Sequence, residues 1–183
     1  CCDGFGIIPP VAKLNTKQAI YFFLNGYTTK IPGTEQSVIE PELVFSSCFG
    51  EAFIVHHPSR YGELLEQYIQ QHKCNIWLLN TGWIQGNYNT GQRIPLKYSR
   101  TIVDSIHDGS LTQGNFTTYP VFEFEIPTAC KDIPIDILNP LVYYKTKNLN
   151  TYMENLTNLH VLFETNYKQL ISKSDQIREI SSI

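Results

Sequence analysis

Residues 75–111 read NIWLLNTGWIQGNYNTGQRIPLKYSRTIVDSIHDGSL, and their order decides how the rest of the chain is read. Ile76 to Leu79 is a short apolar run, the pattern of a buried strand. Asn80-Thr81-Gly82 leaves it, and the loop that follows carries glycines at 82, 86 and 91. From Leu96 the spacing of Ile102, Val103 and Ile106 predicts an amphipathic helix that stops at Gly109. Strand, glycine-rich loop and helix in that order frame many nucleotide and anion sites. Glycines let backbone approach a ligand, and a helix start presents free N–H groups at a positive dipole end. Arg93 lies in the loop, and Ser99 and Arg100 lie where the helix starts.

From the residues alone, two readings of this place stand side by side. In one, Arg93 lays its planar guanidinium on a base or forks onto a ribose or phosphate oxygen. Ile94 then gives an apolar wall and a backbone hydrogen-bonding edge, and the Ser99 hydroxyl can read an adenine edge. In the other, Arg93 pairs with a surface carboxylate and Ser99 caps the helix.

A chain of 183 residues with 42% hydrophobic content makes one globular domain or a large part of one. It begins at Cys1, and Cys-Cys-Asp-Gly-Phe-Gly reads as the end of a strand already under way, so the chain is expected to be the C-terminal portion of something longer. A net charge of -3 gives no basic footprint for nucleic acid. No apolar run approaches the ~18 residues of a membrane span. Five cysteines, at 1, 2, 48, 74 and 130, include no Cys-x-x-Cys pair and read as reduced thiols packing as small hydrophobes.

Outward from the central stretch, residues 4–8 (GFGII) read as a strand end closed by Pro9-Pro10. Asn15 with Gln18 forms a capping box, and Ala19, Ile20, Phe22 and Phe23 predict a short apolar helix ending at Gly26. Residues 26–35 (GYTTKIPGTE) read as a polar loop, either solvated with a weak Lys30–Glu35 ion pair or lining a site. Pro58 and Ser59 start a helix to about Lys73 with Tyr61, Leu64, Leu65, Tyr68 and Ile69 on its buried face. Tyr119 to Ile126 alternates with period two and predicts a strand burying Phe122, Phe124 and Ile126. Prolines at 127, 134 and 140 make the following segment an irregular cover. From about Asn150, Tyr152, Leu156, Leu159, Leu162, Phe163, Tyr167 and Leu170 recur at threes and fours, predicting a C-terminal docking helix whose last ten residues fray.

The catalytic inventory is thin. The sequence holds no GxxxxGK[ST], GxGxxG, HExxH or GxSxG motif. His56-His57 has no third ligand at metal spacing, and neighbours on a strand point to opposite faces. Cys48, in Ser46-Ser47-Cys48-Phe49-Gly50, has nothing beside it to lower a thiol pKa and reads as a core cysteine.

Seven blocks carry a resemblance: GFGIIPPVAKL, GYTTKIPGTE, FSSCFGEAF, HPSRYGELL, NTGWIQG, GQRIPLKYSRTIVDSIHDGSL and ILNP. Their wording, order and spacing over residues 1–145 resemble the ATP-dependent phosphoenolpyruvate carboxykinases. The resemblance implies a mixed α/β (α+β) fold, with residues 1–183 forming the C-terminal part of the nucleotide-binding lobe. It implies a cytoplasmic, gluconeogenic carboxy-lyase that turns oxaloacetate and ATP into phosphoenolpyruvate, ADP and carbon dioxide. Mg²⁺ travels with the nucleotide in such enzymes and Mn²⁺ is the usual second ion. The family's phosphate loop, metal ligands and oxaloacetate-binding arginines are expected upstream of Cys1.

By the same resemblance the adenosine end of ATP is held at the positions of Arg93, Ile94 and Ser99, with serine replacing the family's threonine. Thr28, Lys30 and Thr34 are second-tier candidates near the active cleft. Departures are Cys130-Lys131-Asp132 for Cys-Pro-Gly, Leu141 for arginine, and Pro32 for a small residue. The alternatives are an inactive remnant serving as a binding or structural domain, and a carbohydrate-binding module built on Trp77, Trp83 and Tyr88.

Overall fold

Two neighbouring strands with opposite-facing side chains divide the protein into layers. The computed structural model describes residues 1–33 and 38–180, with side chains through residue 172. In chain order the elements are β1 (Val11–Leu14), α1 (Thr16–Asn25), β2 (Tyr27–Lys30), β3 (Glu42–Phe45), α2 (Pro58–His72), β4 (Ile76–Leu79), β5 (Trp83–Ile84), β6 (Gln92–Arg93), α3 (Leu96–His107), β7 (Phe116–Thr118), β8 (Glu125–Pro127), α4 (Ile135–Leu138), α5 (Pro140–Lys145) and α6 (Leu149–Ile180). The fold is mixed α/β.

β4, β1, β8 and β7 form an antiparallel sheet in that order. The register pairs Val11 with Leu79 and Ala12 with Leu78, so alternate side chains enter different cores. Ala12, Leu14 and Leu78 join an aromatic cluster under α1 and α6, whereas Val11, with Trp77 and Leu79, packs toward Ile102 of α3 and Leu138 of α4. A sheet covered on both faces explains why Ile76–Leu79 is an unbroken apolar run.

The aromatic core centres on Phe163 of α6. Its ring centroid lies 4.8 Å from Phe22, 5.2 Å from Tyr27, 5.1 Å from Phe45 and 5.3 Å from Phe122. The expected capping box is present, with the Asn15 side chain accepting from Gln18 N–H and the Gln18 side chain accepting from Asn15 N–H. α1 ends on left-handed Gly26.

Several elements differ from the sequence reading. Residues 4–8 are a turn, and the strand follows the prolines instead of preceding them. The first part of the 26–35 segment is β2, paired with β3 from Tyr27↔Phe45 to Lys30↔Glu42. Tyr27 and Thr29 are buried while Thr28 and Lys30 are less so, a period-two pattern hidden by the segment's polarity. Thr34 and Glu35 lie outside the described residues.

Tyr119 to Phe124 is a turn with positive φ at Val121 and Glu123, closed by Tyr119 N–H donating to Phe124 O at 2.7 Å. Phe122, Phe124 and Ile126 are nevertheless buried, so the alternation reported burial correctly and backbone shape wrongly. Tyr68 and Leu162 face solvent, and Gly62 takes a buried place on α2 against Leu24. Two short helices, α4 and α5, occupy the proline-rich segment. Asn139 caps α5 by accepting from Leu141 N–H. Among the described residues no helix is long and apolar enough to cross a membrane.

Because Phe163 is fully buried among rings, Phe163→Ala is expected to lower unfolding stability by about 3–5 kcal/mol. Urea unfolding followed by circular dichroism checks this; a loss below about 1 kcal/mol contradicts the packing described.

Candidate functional site

The glycine-rich loop is anchored by a carboxylate that has no side-chain ion-pair partner among the described residues. Asp3 is fully buried. One of its oxygens accepts from Phe5 N–H at 2.9 Å and from the Tyr27 hydroxyl at 2.6 Å. The other accepts from Ile7 N–H at 2.6 Å and Ile8 N–H at 2.7 Å. Burial pushes this carboxyl above the usual range, and the four hydrogen bonds pull partly the other way. Burial, then the neighbouring Asp3 charge, pushes the Tyr27 hydroxyl well up as well.

Asn80, at the end of β4, stitches the loop to this turn. Its side-chain oxygen accepts from Asp3 N–H at 3.0 Å and Gly82 N–H at 2.9 Å, while its amide donates to Ile8 O at 2.8 Å. Trp83 N–H donates to Asp3 O at 2.7 Å. A Cβ at Gly82 would sit 2.1 Å from Asp3 O, and one at Gly6 would sit 2.1 Å from Gly86 O. The loop glycines thus let backbone meet backbone. At Gly82 and Gly86 the space expected for a ligand is taken by the 3–6 turn.

From this anchored base β5 and β6 rise as a hairpin with Trp83 opposite Arg93. Arg93 is exposed; its guanidinium lies over the Trp83 ring at 5.5 Å, and Nε donates to Thr81 O at 3.3 Å. Its expected carboxylate partner is not present among the described residues. Cys2 is within electrostatic reach: burial raises its thiol pKa, and Arg93 pulls it back down.

Ile94 points the other way, 6% exposed, into the core beneath α3. Its N–H donates to Gly82 O at 2.8 Å, leaving its carbonyl as the backbone edge on offer. Ser99 is not the helix cap. Pro95 holds that position without a side-chain bond, and Ser99 lies one turn inside α3 on its buried face. The three positions therefore share one short segment, with Arg93 outward and Ile94 and Ser99 inward.

Thr28 and Lys30 line a separate cleft of 620 Å³ with Ser46, Phe49 and Glu51. The backbone is left-handed at Phe49, which lines the cleft, and at the preceding Cys48. Burial pushes the Cys48 thiol up to about 11, as expected of a packed cysteine. The His56-His57 pair is not on a strand. His57 caps α2, its Nδ1 accepting from Ser59 N–H, and among the described residues no three His, Cys, Asp or Glu groups converge for a metal.

Sequence reasoning passed over Asp3, and it used Trp83 only for a sugar-binding alternative. The available signal was Asn-Thr-Gly after a strand, since Asn side chains bond backbone two residues on.

Comparison with known proteins follows the same stretch. A family profile described as phosphoenolpyruvate carboxykinase matches residues 1–136. The phosphoenolpyruvate carboxykinase (ATP) of Saccharomyces cerevisiae is 46% identical over 168 residues, covering 91% of this chain and 30% of that protein. The protein of the same name from Eremothecium gossypii is 49% identical over 140 residues, covering 76% of this chain and 26% of that one. In Geotalea uraniireducens the identity is 42% over 182 residues, covering 100% and 34%. The chain thus spans about 30% of the length of the curated relatives it matches.

Asp3→Asn puts an amide NH₂ against two of the four donors now aimed at the carboxylate. It is expected to cost about 2–4 kcal/mol of stability by chemical unfolding. An unchanged midpoint would contradict the anchoring role. At pH 8, iodoacetamide is expected to label exposed Cys74 well before Cys48, as read by mass spectrometry.

Proposed function

The chain belongs to the phosphoenolpyruvate carboxykinase family, and on that premise we propose that it supplies the adenosine-binding part of an enzyme converting oxaloacetate and ATP to phosphoenolpyruvate, ADP and carbon dioxide. In this reading residues 1–183 are the C-terminal portion of the nucleotide-binding lobe of a cytoplasmic, gluconeogenic enzyme. The relatives' names support ATP use. The single structural observation behind the site is the state of Arg93. Its guanidinium is exposed and propped on an indole, and no partner takes its terminal nitrogens among the described residues.

A planar cation held this way can stack on a purine or donate in parallel to ribose oxygens, which a lysine cannot imitate. The Ile94 carbonyl offers an acceptor for an exocyclic amine, and the Ser99 hydroxyl a group that both donates and accepts. Binding energy collected here, away from the reacting phosphorus, positions the triphosphate for transfer. Mg²⁺ and Mn²⁺ belong to the reading because such ions neutralise phosphate charge. The described residues do not fit them as a ligand set, and their ligands are assigned upstream of Cys1. Thr28 and Lys30 are placed as secondary contacts at the cleft. Ile39, Phe53 and Val55 are 86–89% exposed, and we assign this apolar surface to the remainder of the polypeptide.

In the intact enzyme, Arg93→Ala is expected to raise the KM for ATP about 10- to 100-fold, the loss of charge-assisted hydrogen bonds. The kcat should fall much less, and Arg93→Lys should recover little. Steady-state rates against ATP concentration decide it, and an unchanged KM in Arg93→Ala overturns the site.

A further inference from the structure

We infer that Trp83 is a positioning residue for nucleotide binding, its indole limiting where the Arg93 guanidinium is presented. The inference rests on the nucleotide reading of Arg93 given above. An exposed arginine ordinarily samples many rotamers, and that freedom must be lost when a ligand binds. Here two contacts at different atoms limit it: Nε donates to Thr81 O at 3.3 Å, and Cζ lies over the Trp83 ring, 5.5 Å from its centroid. Arg93 is otherwise exposed, and no partner takes its outer nitrogens among the described residues.

The backbone that carries the indole is well anchored. The Trp83 backbone N–H donates to Asp3 O, and its strand is in register opposite Arg93. Its side chain, by contrast, is only half-buried and belongs to neither core cluster. Trp77, the other tryptophan, packs with the core beneath α3, its ring tilted against Phe116 at 6.2 Å between centroids. Among the described ring contacts, the one Trp83 makes is with Arg93. A large aromatic surface unused by the core and directed at one cation is accounted for by what it does to that cation. A guanidinium is weakly hydrated on its faces, so indole below and purine above form a stack with little desolvation cost.

The test is ATP dependence in the intact enzyme for Trp83→Leu, Trp83→Phe, Arg93→Ala and the Trp83→Leu/Arg93→Ala pair. Trp83→Leu is expected to raise the KM for ATP about tenfold while kcat falls less than about threefold. Trp83→Phe, which keeps a π face, should return KM to within about threefold of the parent. In the Arg93→Ala background, Trp83→Leu should add nothing, because its effect passes through the missing group. If Trp83→Leu does not fold, Trp83→Met reads the same quantity with bulk retained.

Three results overturn the inference: no change in KM for Trp83→Leu, the same increase with and without Arg93, or no recovery by Trp83→Phe. When Arg93→Ala raises KM and Trp83→Leu does not, the positioning role alone falls. When Arg93→Ala changes nothing, the nucleotide reading falls first.

Discussion

A buried carboxylate satisfied by neutral donors governs the architecture around the candidate site. Desolvating such a group is costly unless each oxygen is satisfied, and Asp3 meets that demand with three backbone N–H groups and a phenol. To deliver those donors the chain from 3 to 8 must curl around the side chain, and Tyr27 must reach it from another strand. The turn then acts as a mould. Asn80 and Trp83 bond to its backbone, and Gly82 lies against it at a distance no side chain allows.

The second constraint is the sheet's two-sided burial. Because Ala12 and Val11 face different cores, one strand fixes both the aromatic layer under α6 and the aliphatic layer under α3. The hairpin carrying Arg93 leaves on the α3 side. There Gln92 and Arg93 are both exposed, and the chain turns inward only at Ile94, just beyond the strand.

How much of this the sequence showed depended on whether the signal was local. The capping box at Asn15, the proline start of α2 and the apolar stripe of α6 are set by residues a few positions apart, and they were readable. The burial of Phe122, Phe124 and Ile126 was also readable, but the turn that buries them was not, because it needs positive φ at Val121 and Glu123, residues that give no local signal for that conformation. β2 escaped because its partner β3 is distant in sequence and its exposed face is polar. Arg93, Ile94 and Ser99 lie within one short segment of the chain, the first facing solvent and the other two buried. The propping of Arg93 by Trp83 was not legible, since cross-strand register depends on how the seven residues between the two short strands fold.

The same mould ties the two candidate surfaces together. Gly4 N–H donates to Thr29 Oγ1 at 2.9 Å, and Tyr27 binds Asp3, so β2 and the cleft at Thr28 and Lys30 start from the residues that also hold Trp83. Tyr119 and Tyr152 both donate to Ile7 O at 2.7 Å, locking the far side of the turn to α6. A ligand touching both the arginine hairpin and the β2 cleft therefore meets a spacing set before it arrives. Preorganisation of that kind lowers the ordering cost of binding, and it places the burden of site geometry on one buried aspartate.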